Sequence, residues 1–399
     1  MRLLCLLALS CAGVAACAAR GAHDASGRTG AATTLVPHGS GFVPASGGHH
    51  LVVLEDPLPG APSDSVVPGD VPGATEGTGA PGTTAGTIQA EAPFACDELV
   101  PSWNFDADPD EALVVEVSVG DGRDWSSWLV VGHLGAIPSA KGITTEQAGA
   151  WGRTACDTFV ATRPFQRARL RVRAWDGGLV QGRFERVAFC FSKWGAGADA
   201  PRVAGASVPE SRPEPATVRL DVPFRSQRSE APELAPRICS PTSVAMVLAY
   251  HGVTVATAEL AGRIYDEACE LYGNWSRAVQ VAYEFGLPGY VARFDDWSEV
   301  ERVLASGTPL VISVRAEPGE LAGAAFAATE GHLLVVRGFA EGGRVLVNDP
   351  AFEDAAGGVT SYSRADLERV WWQRRRGTAY VLGHPPAPNG PNDSAARPR

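Results

Sequence analysis

The 399-residue chain is short of basic residues, of closely spaced cysteines and of long apolar runs, and each shortage excludes something. Thirty-four Lys and Arg stand against 45 Asp and Glu, a formal net charge of -11, which argues against a nucleic-acid surface. No segment has 18 uninterrupted apolar residues, so no transmembrane helix is expected. The eight cysteines include no Cys-x-x-Cys pair, so neither a zinc site nor any other metal or cofactor is expected. Methionine is scarce at two residues. What the chain does have is 45 Gly and 30 Pro gathered in a few stretches, between segments of ordinary globular composition.

Those stretches divide the chain. MRLLCLLALSCAGVAAC at the start carries one basic residue, a short apolar run and then small residues, which reads as an export signal over 1–16. Val14-Ala-Ala-Cys17 resembles the bacterial lipobox, and that resemblance implies a lipidated Cys17 and an envelope lipoprotein held to the membrane through its N-terminus. Without lipidation the same signal gives a secreted protein. Residues 17–40 read as a flexible tether. Residues 41–194 read as an all-β sandwich: Ala112 to Val119, Trp128 to Val131, Arg167 to Trp175 and Arg186 to Phe191 are β-like runs divided by Gly-Asp-Gly and Asp-Gly-Gly turns. A Gly- and Pro-rich stretch over 57–84 is expected to be a disordered loop.

A Pro-rich linker is expected at 195–217 and a disordered tail at 385–399. Between them, 218–384 begins with helical stretches (Cys239 onward, Ala256–Tyr272, Trp275–Phe285 and Trp297–Ser306). Strands then follow at Leu310, at Leu333–Phe339 with Val345–Asn348, and at Thr378–Leu382. Helices before an antiparallel sheet make an α+β domain. Among the cysteines outside the signal, Cys96, Cys156, Cys190 and Cys269 allow three pairings once Cys239 is set aside. Cys156 with Cys190 is the pair expected, because both lie in strand-like runs of one domain.

Cys239 stands at the start of the helix Cys-Ser-Pro-Thr-Ser-Val-Ala-Met-Val-Leu-Ala-Tyr. A helix N-terminus favours the thiolate, and the thiolate is the nucleophile. Pro241 costs nothing in the first turn, and Val244, Val247 and Leu248 predict one buried face. Alone, Cys239 reads as a core thiol or half a disulfide. A nucleophile also needs a base, and the second domain holds three histidines. His251 lies ~18 Å along the helix axis from Cys239, out of reach. His384 is in the tail, which leaves His332 at the head of a strand. Asp349 ends the returning strand, and a two-residue turn at Glu341 or Gly342 would put it on the face of His332, two to four residues off direct opposition. There it could fix the imidazole tautomer. Gln227, 12 residues before Cys239, offers an amide donor for a developing oxyanion.

Gln227, Cys-x-Pro-Thr-Ser-x-x-Met-x-Leu-x-Tyr-x-Gly, Gly-His-x-x-x-Val-x-Gly and Val-x-Val-Asn-Asp-Pro, in that order over about 218–383, resemble the papain-like cysteine peptidases of the bacteriocin-processing (double-glycine leader peptidase) type, and more narrowly their free-standing exported relatives. The resemblance implies a papain-like fold with Cys239 as nucleophile, His332 as base, Asp349 as orienting acid and Gln227 in the oxyanion hole. Gly273-Asn274-Trp275 and Gly307-Thr-Pro-Leu also resemble its recurring pattern. Ser102-Trp103-Asn104 and Trp125-Ser-Ser-Trp128 resemble the β-sandwich preceding such domains in some exported relatives. Bacteriocin-processing members are fused to an ABC transporter. Nothing here reads as a transmembrane or nucleotide-binding segment, so a leader-peptide substrate is not carried over.

The expected function is hydrolysis of a peptide or protein substrate at the cell envelope, cell-wall material included. An amidase or acyltransferase using the same residues is the alternative within this chemistry. The alternative outside it is a non-enzymatic lipoprotein whose Trp125 and Trp128 stack on glycan rings. The loop from Glu317 to Glu330 is expected near the site, setting specificity and labile to proteolysis.

Overall fold

The computed structural model describes residues 34–35, 48–57, 84–108, 111–135, 146–194 and 218–383. The export signal, Cys17, the tether, the loop at 57–84 apart from its two end residues, the linker at 195–217, His384 and the tail lie outside the described residues.

The first domain is all-β. Its strands are β1 (Thr34–Leu35), β2 (Gly48–Glu55), β3 (Thr84–Ala107), β4 (Leu113–Gly120), β5 (Leu129–Leu134), β6 (Ala148–Gly149), β7 (Gly152–Ala155), β8 (Thr158–Ala174) and β9 (Gly182–Lys193). Instead of the two packed sheets of the expected sandwich they join in one nine-stranded sheet, ordered β1-β2-β9-β3-β8-β4-β5, with β7 and then β6 branching from β8. The expected short strands are in part long: β3 has 24 residues and β8 has 17. Register shifts between Glu91 and Glu98 interrupt their pairing, and such bulges bend a ladder. The sheet curls far enough for Trp103 on β3 to reach β5, three places along the order. There a Cβ on Gly132 would lie 2.6 Å from the indole, so only glycine fits.

Period-two alternation assigns the two faces of this sheet to different cores. Val52, Leu99, Trp103, Val187, Phe189 and Phe191 pack into the β-domain's own core. Their neighbours Leu51, Val53, Val100, Ala188 and Cys190 belong to the hydrophobic cluster of the second domain. Strands buried on both faces read as near-continuous apolar runs, as Leu51–Leu54 and Val187–Phe191 do.

The second domain is α+β. Helices α1 (Cys239–Tyr250), α2 (Thr257–Ile264) and α3 (Trp275–Glu284) precede β10 (Gly289–Arg293), α4 (Trp297–Ala305), β11 (Leu310–Ala316), β12 (Thr329–Phe339), β13 (Val345–Asn348), α5 (Ala355–Gly358), β14 (Val359–Tyr362), α6 (Arg364–Leu367) and β15 (Thr378–Leu382). The sheet runs β10-β15-β11-β12-β13-β14, antiparallel at every pair. Two expectations are corrected. The helix expected over Ala256–Tyr272 stops at Ile264, and the chain closes an isolated bridge between Asp266 and Leu271. In α1, Ser240 to Leu248 are buried without exception rather than on one face, because the helix packs against α2, α3 and β12 together.

Polar groups seal the junction between the domains. The Gln280 amide on α3 accepts from Phe105 N–H and donates to Phe105 C=O, both at 2.9 Å. Gly289 N–H and Val291 N–H donate to Asn104 Oδ1 and Ser102 Oγ at 3.0 and 2.9 Å. Asp157 accepts from Trp275 and Ser276 N–H at the start of α3, a position the helix dipole favours for a carboxylate. Buried Glu98 pairs with Arg293 and Arg376. The disulfide also crosses here: Cys156 bonds Cys269, not Cys190. Cys156 sits in a left-handed turn (φ 52°) between β7 and β8. Cys190 lies mid-sheet opposite Leu51 and Val100, a free buried thiol. A shared domain was the wrong criterion, because the turn and not the strand interior has room to reach a partner.

Candidate active site

Helix α1 begins at Cys239 without a side-chain cap, so its first N–H groups stay available. Three hydroxyls fix its first turn. Thr242 Oγ1 donates to Ile238 C=O at 2.7 Å, Ser240 Oγ meets Tyr380 Oη at 3.1 Å, and Ser243 Oγ donates to Leu333 C=O at 3.1 Å. The last bond ties the cysteine helix to the strand residue beside His332. Cys239 is a free, half-buried thiol.

His332 stands on β12 opposite Val314 of β11, buried to 4 % exposure. Its Nε2 lies 2.7 Å from Asp349 Oδ1, and this leaves Nδ1 for the thiol. The connection between β12 and β13 is longer than the expected two residues, a 3-10 turn at Glu341–Gly343 with a register shift at Gly338. Asn348 still pairs with Val335, which carries Asp349 to the expected side. Fully buried Asp349 also accepts from Ala351 N–H at 2.9 Å and from Tyr362 Oη at 2.7 Å. Each oxygen of the carboxylate is thus engaged, as a buried charge requires.

The electrostatics follow from these contacts. Burial by itself raises the Cys239 thiol, but the hydrogen bond and charge of His332, with backbone hydrogen bonds at Leu333 and Ser240, hold it below the ordinary thiol range. Burial disfavours the imidazolium at His332, and Asp349 together with Cys239 reverses that and raises it. Burial likewise works against an ionised Asp349, yet His332, Tyr362 and Ala351 N–H keep its carboxyl low. The arrangement favours a thiolate–imidazolium pair backed by a carboxylate, able to attack an acyl carbon and return a proton to the leaving group.

Gln227 opens a 3-10 turn, Gln227–Ser229, and is buried to 8 % exposure. Its backbone N–H donates to Pro350 C=O at 2.9 Å, one residue past Asp349. The side-chain Nε2 donates to Ala235 C=O at 2.7 Å, and Oε1 is buried without a partner. The amide therefore sits on the segment leading into Cys239, with one of its two N–H groups committed.

The C39 peptidase family is what the chain matches. The model described as the Peptidase_C39 like family matches residues 219–380, and that of the Peptidase C39 N-terminal domain matches residues 80–192. The chain belongs to this peptidase family. It is a cysteine-type peptidase. No curated protein matches it. Among solved structures, a double-glycine motif protease from an AMS/PCAT transporter, in complex with the leader peptide, is 24 % identical with a TM-score of 0.29, covering 42 % of this chain and 96 % of that one.

One group of the C39-like peptidase carried no sequence signal, and two more had no role assigned to them. Tyr362, on β14, is brought to Asp349 by strand pairing with β13. Ser243 is the last residue of the Cys-x-Pro-Thr-Ser motif, and Phe326 lies in the loop expected near the site. The Phe326 ring stands edge-on to the His332 ring at 5.0 Å, so the loop from Glu317 does reach the site. It is also anchored, through Arg369 to Glu320 C=O at 2.9 Å and through the Arg374–Glu320 pair at 2.7 Å. His251 lies at the far end of α1 beside Tyr250. The rings of Trp125 and Trp128 are half-buried, and the Arg169 guanidinium stacks over both at 4.3 and 4.6 Å. Those faces are occupied from within the protein.

Proposed function

We propose that this peptidase hydrolyses peptide bonds through a triad of Cys239, His332 and Asp349, with Gln227 supporting the oxyanion. The observation that carries the reading is the unbroken chain of contacts from Asp349 through His332 to a thiol held below its ordinary pKa. In this reaction Cys239 attacks the carbonyl carbon, and His332 passes its proton to the leaving amine. Water then enters, loses a proton to His332 and releases the acyl group. The free N–H of Gln227 and the N–H of Cys239 are the donors for the tetrahedral oxyanion. A cavity of about 450 Å³ lined by Phe224, Ser226, Glu230, Thr257, Glu353 and Asp354 opens beside the Gln227 turn. The substrate is an exported peptide or an envelope protein, and the enzyme reaches it as a lipoprotein anchored through Cys17.

The test is digestion of a mixed-sequence peptide library by the full chain and by its Cys239→Ala variant, with products read by mass spectrometry. New termini from the full chain and none from the variant are expected; equal products from both would sink the nucleophile assignment. Anchoring is tested separately: palmitate incorporation in cells should disappear in Cys17→Ala, and incorporation that persists would remove the lipobox reading.

A further inference from the structure

Three metal-ligating side chains that the peptidase chemistry does not use converge where the β-domain meets the second domain. His49 comes from β2, Asp295 from the turn after β10, and Glu299 from the first turn of α4. One donor atom of each lies within 4.8 Å of the other two, and His49 Nδ1 is 3.7 Å from Asp295 Oδ2. His49 and Glu299 are 6 % and 5 % exposed. Glu299 Oε2 is buried with no hydrogen-bond partner, and its Oε1 reaches the Arg302 guanidinium only at 3.7 Å. Burying a carboxylate oxygen without a partner costs several kcal/mol, unless a cation or a proton satisfies it.

We propose that His49, Asp295 and Glu299 bind one zinc ion, which fastens β2 of the β-domain to the start of α4. The donor set selects the metal. One imidazole nitrogen with two carboxylates suits zinc, whereas calcium takes six to eight oxygens. Tetrahedral arms of ~2.0–2.2 Å set neighbouring donors roughly 3.4 Å apart, against 3.7 Å between His49 and Asp295 and no more than 4.8 Å across the set. A small rotation of Asp295 closes the observed 3.7 Å. Asp295 is the partly exposed member, with 32 % of its side chain accessible, and it gives the ion a path in and a water for its fourth position. The ion would be a second cross-link between the domains, besides Cys156–Cys269.

Zinc alone is the probe. The full chain carrying Cys239→Ala, which removes the active-site thiol as a competing ligand, is stripped with chelator and titrated by calorimetry. One zinc per chain and a rise in Tm on adding it are expected. Glu299→Gln and His49→Gln should each weaken binding by roughly ten-fold or more. Asp295→Asn, at the more exposed position, should do the same without disturbing the fold. A folded parent chain that takes up no zinc overturns the proposal, and so does affinity unchanged in Asp295→Asn. Calcium bound in place of zinc overturns the choice of metal.

Discussion

Cys239 and Cys190 are free thiols of one hydrophobic cluster, and their protonation goes opposite ways. Burial raises both. At Cys190 it prevails, with the Arg293 charge offset by Glu98, and the thiol is pushed up to about 11. At Cys239 the imidazolium of His332, with the backbone N–H groups of Leu333 and Ser240, outweighs burial. The lesson is that depth in the core does not make a cysteine inert or reactive. What decides is whether something is placed to receive the thiolate's charge.

Three changes would break or sharpen this contrast, in falling order of effect. Asp349→Asn keeps the shape of the side chain but leaves His332 without a counter-charge. Peptidase kcat should fall by ~10³-fold or more, and a loss below ten-fold in steady-state assays would show that the carboxylate is not needed. Second comes alkylation. Because the Cys239 pKa is lowered, its thiolate persists as pH falls through the ordinary thiol range and is lost only below the folded value. The raised His332 keeps its proton up to pH above neutrality, so the pair spans neutral pH. Iodoacetamide at pH ~6 should therefore label Cys239 at least ~100-fold faster than Cys190 or Cys96, as peptide mapping would record. His332→Ala should erase most of that difference; comparable rates at all three thiols in the unaltered protein would end the argument.

The smallest effect is at Tyr362. Tyr362→Phe removes one hydrogen bond to a buried carboxylate, worth about 1.5–3 kcal/mol. Much of that is recovered by the two bonds Asp349 keeps, so about a ten-fold drop in kcat is expected. The discriminating readout is the acid limb of the rate profile. With one bond fewer, the Asp349 carboxyl rises towards its ordinary range, and activity should begin to fall at a higher pH as acid is added. An unmoved limb would make Tyr362 a packing residue only.

The sheet junction offers the same contrast for stability. Glu98 is ionised although buried, because Arg293 and Arg376 outweigh the cost of burial and lower its carboxyl. Its contribution is present above the ordinary carboxylate range and is lost as pH falls through the lowered value. Glu98→Ala leaves the Arg293 guanidinium buried without that partner and should cost about 3–5 kcal/mol, read as a drop in Tm.

Much of this could be read along the chain. The helix at Cys239, the strands at Leu310, Val345 and Thr378, and the link between His332 and Asp349 follow from periodicity and from spacing along a hairpin. The link does not depend on the length of the turn, because a longer turn with a bulge in β12 still leaves Asp349 facing His332. Other features were hidden. The Cys156–Cys269 bond joins residues 113 apart in different domains, and no local pattern records which turns will meet. Tyr362 reaches the site from a segment that looks like plain strand.

The sequence by itself determined which residue types carry the chemistry and the order in which they come, because helix starts and strand alternation are local effects. Tertiary structure decided everything that depends on convergence. Packing on every side of α1 turned an apparent one-faced helix into a buried one. The two faces of the β2–β9–β3 region went to different cores, since alternate side chains must point opposite ways. Above all, only the folded chain puts His332 beside one cysteine and not the others. The thiolate's charge is stabilised over a few ångströms, and distances of that kind are set between elements rather than along them.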